Sequence, residues 1–129
     1  LFIFDLNTEY KFKEILGQNS FGETRENAAY IWENYYDETE KINEFYMNFF
    51  LKDKNGSYVR KEEYHYEKAY DIQTIKNLLQ QSGLQLSAMY DAYTFEPPKA
   101  ESQRIYVVAK EVEKTQYCDV LQEETNYER

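Results

Sequence analysis

Between positions 28 and 70 the chain runs through three segments in which aromatic and polar residues alternate with a period of two, and the second and third are separated by Lys52-Asp53-Lys54-Asn55-Gly56. Period-two alternation rich in Tyr, Phe, Ile and Val is the pattern of strands. Asn-Gly supplies the positive φ angles that a tight hairpin turn demands. The segments, about residues 28–36, 41–51 and 57–70, therefore form an antiparallel meander, and a helical path over 41–66 is incompatible with this reading. Asp37-Glu38-Thr39-Glu40 joins the first two segments without a glycine. Alternation sends Tyr30, Trp32, Asn34 and Tyr36 to one face and Ile31, Glu33 and Tyr35 to the other, so neither face is simply polar.

The flanks follow a different rhythm. Residues 1–6 are apolar except at Asp5, as in a strand covered on both faces inside a parallel sheet. Asn7 and Thr8 follow as caps for a helix through Tyr10, Phe12, Ile15 and Leu16, with Gly17 placed to end it in a left-handed conformation. After the meander, Asp71 caps an amphipathic helix carrying Ile72, Ile75, Leu78 and Leu79, closed by Ser82-Gly83. Residues 84–94 and 104–112 read as strands, parted by a loop in which Pro97 and Pro98 cannot join a ladder. From Glu111 onward, 19 residues hold six acids and two bases, and residues 113–129 read as a disordered acidic tail.

Composition narrows the function classes. The four glycines stand apart, so the sequence contains no Gly-x-Gly phosphate or dinucleotide cradle. A net charge of -9 with no basic patch speaks against nucleic-acid and anionic-membrane partners. The single Cys118 forms no internal disulfide, one Cys with one His does not make a zinc site, and a reducing cytoplasm fits this usage. No metal ligand set is expected. The opening Leu1-Phe2-Ile3-Phe4 reads as a cut through a larger sequence.

Taken together, Leu-Phe-Ile-Phe-Asp-Leu-Asn-Thr at 1–8, Ile31-Trp32-Glu33-Asn34-Tyr35-Tyr36-Asp37, the stretch from Tyr70-Asp71-Ile72 to Gly83, Tyr90-Asp91-Ala92-Tyr93 and Arg104-Ile105-Tyr106-Val107-Val108-Ala109 resemble the C-terminal half of a class I S-adenosylmethionine-dependent methyltransferase, of the small bacterial kind with a β insertion before the last crossover helix. The resemblance implies an α+β chain. Residues 1–112 would be the methyltransferase-like portion, a partial α/β sheet of the last three strands and the crossover helix, with a meander insertion at 18–70. It also implies that the first strand runs parallel to the sixth and that the seventh turns back antiparallel. In this family the cofactor is held by an acidic, glycine-rich loop upstream of the position matching Leu1. The chain would thus be the substrate side alone, with no cofactor-binding residues, S-adenosylmethionine implied only for the complete enzyme, and no catalysis by itself.

The candidate site residues are few. His65, between Tyr64 and Tyr66, has the ordinary pKa range of a general base. Asn7 and Thr8 sit where a sheet strand ends, the edge at which open α/β sheets place ligands. Trp32, Tyr35, Tyr64 and Tyr66 are candidates to orient a small-molecule methyl acceptor. Glu62 and Glu63 fall on opposite faces of one strand and do not pair. An exposed sheet edge predicts a homodimer. The reading from a different class is a free-standing β-rich module that binds a small ligand or a protein.

Overall fold

A computed structural model describes residues 1–112; the acidic segment expected over 113–129 and Cys118 lie outside the described residues. In chain order the elements are β1 (Phe2–Asn7), a π-helical turn (Lys11–Leu16), β2 (Ser20–Thr24), β3 (Ala28–Asp37), β4 (Ile42–Lys52), β5 (Tyr58–Lys68), α1 (Ile72–Gln81), β6 (Leu84–Asp91) and β7 (Arg104–Glu111). They make two sheets. One has the order β1-β7-β6 and the other β2-β3-β4-β5.

The four-stranded sheet is the expected meander, antiparallel throughout. At its tightest turn Gly56 takes φ +83°, and Asp53 Oδ1 accepts from the amides of Asn55 at 2.8 Å and Ser57 at 3.0 Å. This is the Asx-type closure that short polar side chains provide. In the Asp37 turn it is Lys41 that takes positive φ. The expectation of three strands is corrected to four. Ser20–Thr24 carries one large apolar residue, Phe21, and an interior glycine, so no alternation marks it. Its pairing is decided by the open edge of β3, against which Phe21 lies opposite Trp32.

The inner face of the meander is covered by the π-helical turn. Phe12, fully buried, lies 6.1 Å from the Tyr36 ring and 6.2 Å from the Phe45 ring, and Trp32 stacks on Phe45 at 5.8 Å. Leu16 and Ala69 complete this cluster. The Gly17 amide reaches the Phe12 carbonyl, five residues back, at 2.6 Å. The expected α-turn is thereby widened, as at π-bulges, which are common near functional sites. Gly17 has φ +44°, and a Cβ there would meet the Lys13 carbonyl oxygen at 2.9 Å, so the turn needs glycine.

In the three-stranded sheet β7 is central and antiparallel to both neighbours, which leaves β1 and β6 parallel to each other, as expected. A bulge between Leu86 and Ala88 shifts the β6 register. Asp71 accepts the Thr74 amide at 2.7 Å and starts α1, whose Ile75 and Leu79 pack on Ile105, Val107 and Ala109. Residues 1–112 by themselves do not cover β1 on both faces. Among the described residues β1 pairs only with β7, and Leu1, Phe2 and Ile3 are 88%, 51% and 64% exposed.

Candidate functional site

Strand register places the candidate residues on two surfaces. Trp32 lies opposite Met47, and Met47 opposite Glu63; Asn34 lies opposite Phe45, and Phe45 opposite His65. Cross-strand partners share a face, so Trp32, Phe45, Met47, Glu63, His65 and Glu67 occupy the inner face with the π-helical turn. Tyr35, Tyr64 and Tyr66 occupy the outer face, each more than half exposed. Tyr64 stacks there on Tyr46 at 4.6 Å, and that neighbour chiefly raises its hydroxyl pKa. A single pocket built from all the candidate rings therefore does not form.

On the inner face Trp32, Phe45, Met47, His65 and Glu67 line an open concavity of about 300 Å³. Glu67 joins it to β1, because the Asn7 side-chain amide donates to Glu67 Oε2 at 2.7 Å. Asn7 Oδ1 in turn accepts from Lys11 Nζ at 2.9 Å. Burial, together with the Arg104 charge, lowers the Lys11 pKa, against the opposing pull of Glu67 and Asp5. Arg104 itself is paired with Asp5 at 2.9 Å. Thr8 does act as a cap, accepting the Lys11 amide at 3.2 Å while its hydroxyl donates to the Ser102 carbonyl at 2.6 Å. Asn7 does not cap; its side chain spans from β1 to the meander. Beyond it Asn7, Thr8, Tyr70, Asp71, Lys99 and Ser102 border a second hollow of about 190 Å³.

His65 Nε2 lies 3.0 Å from Glu63 Oε2 on the same edge strand. Glu62 does point the other way, bonded to Tyr46 and Arg60. The sequence reading takes Glu63 and Glu67 as solvated charge, so it misses Glu63 as a partner of His65 and Glu67 as a partner of Asn7, and it does not single out Lys11. The signals were present: Glu63, His65 and Glu67 are two apart along a strand, and Lys11 follows Asn7 at a one-turn spacing. Tyr36 is buried and donates to Glu9 at 2.9 Å, and both effects raise its pKa. Trp32 Nε1 is buried with no partner among the described residues.

Among the described residues no group of three or more His, Cys, Asp or Glu side chains is arranged to hold a metal ion. No described helix is long and apolar enough to cross a membrane. A groove of about 520 Å³ between α1 and β6, lined by Lys76, Gln80, Gly83 to Leu86 and Val112, shares no residue with the candidate set.

No protein-family model matches the sequence. A protein of Geobacillus sp. (strain WCH70), provisionally named a methyltransferase, is 30% identical over 110 residues, which cover 85% of this chain and 44% of the relative. A Bacillus subtilis (strain 168) protein, also provisionally named a methyltransferase, is 27% identical over 113 residues with the same coverage. The crystal structure of an S-adenosylmethionine-dependent methyltransferase from Clostridium acetobutylicum ATCC 824 superimposes with a TM-score of 0.74 at 30% identity, over 84% of this chain and 43% of that one. The chain resembles the C-terminal half of a class I S-adenosylmethionine-dependent methyltransferase. It spans less than half the length of the relatives it matches.

Proposed function

We propose that this chain is the acceptor-side portion of an S-adenosylmethionine-dependent methyltransferase, in which β1, β6 and β7 are the last three strands of the main sheet and α1 is the crossover helix. The methyl donor is supplied from a cofactor-binding half, since the 129 residues hold no Gly-x-Gly with which backbone could approach it closely. The observation that carries the reading is the Asn7–Glu67 bond. It locks the C-terminal end of a sheet strand, where α/β folds place ligands, to the wall of the inner-face concavity. An acceptor seated against Trp32 and Phe45 then lies beside the strand end, with His65, held by Glu63, as the candidate base for its proton. Tyr35, Tyr64 and Tyr66, on the opposite face, take no part in this seat.

The free edge of β1 is the surface at which the cofactor-binding half joins. In purified residues 1–129 the same edge is expected to pair with a second copy, so light scattering should report a dimer, and a monodisperse monomer would count against it. Calorimetric titration with S-adenosylmethionine tests the division of labour. A single cation–aromatic contact contributes about 0.5 to 2 kcal/mol, far below the roughly 7 kcal/mol of 10 micromolar binding. The expected result is no saturable heat. Saturable micromolar binding by these residues alone overturns the reading.

A further inference from the structure

The inner-face concavity also carries information about the charge of what it receives. Its lining consists of two stacked aromatic rings, Trp32 and Phe45, the thioether of Met47, the His65 ring and the Glu67 carboxylate. The one fixed charge among these is negative. No lysine or arginine lines the concavity, and none has a nitrogen within 4 Å of the Glu67 or Glu63 carboxylates among the described residues. Lys11, on the π-helical turn, is hydrogen-bonded to Asn7 rather than to Glu67, although the two charges still attract each other and Lys11 offsets part of the negative charge. Lys61 stands one same-face step beyond Glu63, opposite Phe49. Aromatic faces and carboxylates both favour a cation, the former through the ring quadrupole and the latter through charge-assisted hydrogen bonds. The Asn7 amide holds Glu67 in place through Oε2, leaving Oε1 free of hydrogen bonds within the described residues.

We propose that this concavity selects a small organic amine, protonated at neutral pH and carrying a ring or other apolar body, with the ammonium on Glu67 and the apolar body against Trp32 and Phe45. The inference rests on the acceptor-side reading and adds the chemical class of the acceptor. Glu67 is thus a specificity determinant: an anionic ligand meets a like charge, and a neutral one can donate a hydrogen bond to the carboxylate but forms no ion pair with it.

Three probes sharing one phenyl ring separate the possibilities: phenethylamine, 2-phenylethanol and phenylacetate, each titrated into residues 1–129. Trp32 is the only tryptophan, so its indole N–H resonance and its fluorescence report the concavity directly. The expected result is that phenethylamine shifts the Trp32 signals with affinity about 2- to 5-fold above that of phenylethanol, the span of an ion pair at an exposed carboxylate, while phenylacetate is weakest. Glu67→Gln, which preserves size and the bond from Asn7, should erase the preference for the amine with the circular dichroism spectrum unchanged. Equal or stronger binding of phenylethanol or phenylacetate, or an amine preference that survives Glu67→Gln, overturns the amine class and leaves the acceptor-side reading standing. Trp32 signals that respond to none of the three overturn both. Saturable micromolar binding of S-adenosylmethionine at Trp32 would likewise overturn both, since the cation seated there would be the sulfonium.

Discussion

The two sheets handle their outer edges in opposite ways. The meander ends at β5, whose eleven residues are all exposed and include Arg60, Lys61, Glu62, Glu63, Glu67 and Lys68. Charged edge strands of this kind discourage further pairing. The three-stranded sheet ends at β1, where Leu1, Phe2 and Ile3 stand largely in water. Beside that edge Phe2, Phe4, Leu6, Tyr70, Leu78 and Leu84 border an apolar hollow of about 250 Å³. An isolated apolar edge of this size is a liability in water. The β5 edge is guarded by charge, whereas the β1 edge is apolar and unguarded. The candidate site lies between the two sheets, at the Asn7–Glu67 bond.

Substitutions can break or sharpen this contrast, and the largest effect is expected at Phe12. Phe12→Ala empties the centre of the cluster that seats the π-helical turn on the meander, and loss of a buried Phe costs about 3–5 kcal/mol. Chemical denaturation followed by Trp32 fluorescence measures it. If the meander is self-sufficient, that loss appears in the Trp32 transition. Val107→Ala, at a site with no exposure beneath α1, removes two methyl-sized groups and should cost about 2 kcal/mol. Far-UV circular dichroism compared with Trp32 fluorescence then tells whether the two sheets unfold together or apart.

A smaller effect belongs to the start of α1. The Thr74 amide, as backbone donor, holds the Asp71 carboxyl below its usual pKa. A depressed folded pKa means that the stabilisation is present above the unfolded value, about 4, and is lost as pH falls through the lower folded one. Asp71→Asn keeps a capping oxygen but removes the charge. The melting temperatures of the two proteins should therefore differ slightly at neutral pH and converge in acid. Least change in stability is expected from Ile3→Lys, on an exposed side chain of β1. Its readout is association: light scattering should show the dimer dissociating to monomer with the melting curve nearly unmoved. A dimer that persists would place the contact elsewhere than the β1 edge.

Much of the scaffold was legible because its signals are local. Asn55-Gly56 specifies its turn through its own φ preferences, Asp71 caps α1 from one helical turn away, and alternation alone sorted Trp32 from Tyr35 onto opposite faces. Strand β2 escaped because nothing within Ser20–Thr24 marks it; the open edge of β3 recruits it. The π-helical turn escaped for a related reason. Its apolar spacing fits an α-helix equally well, and the Phe12 contacts with Tyr36 and Phe45 accompany the wider turn.

The site divides along the same line. Sequence determined which residue types were available and which neighbours along a strand share a face, so His65, Trp32 and Asn7 could be named from local pattern. It also determined the charges carried by β5 and the apolar run of β1, though not that either strand lies at a sheet edge. Only the tertiary structure decided that Asn7 reaches Glu67, sixty residues away, that Lys11 faces the same end, and that Tyr64 and Tyr66, on another strand, are separated from Trp32 by the thickness of a sheet. Period-two alternation fixes relative faces within one strand, but which strands pair and what covers each face depend on contacts between segments far apart in sequence. No local preference encodes those contacts.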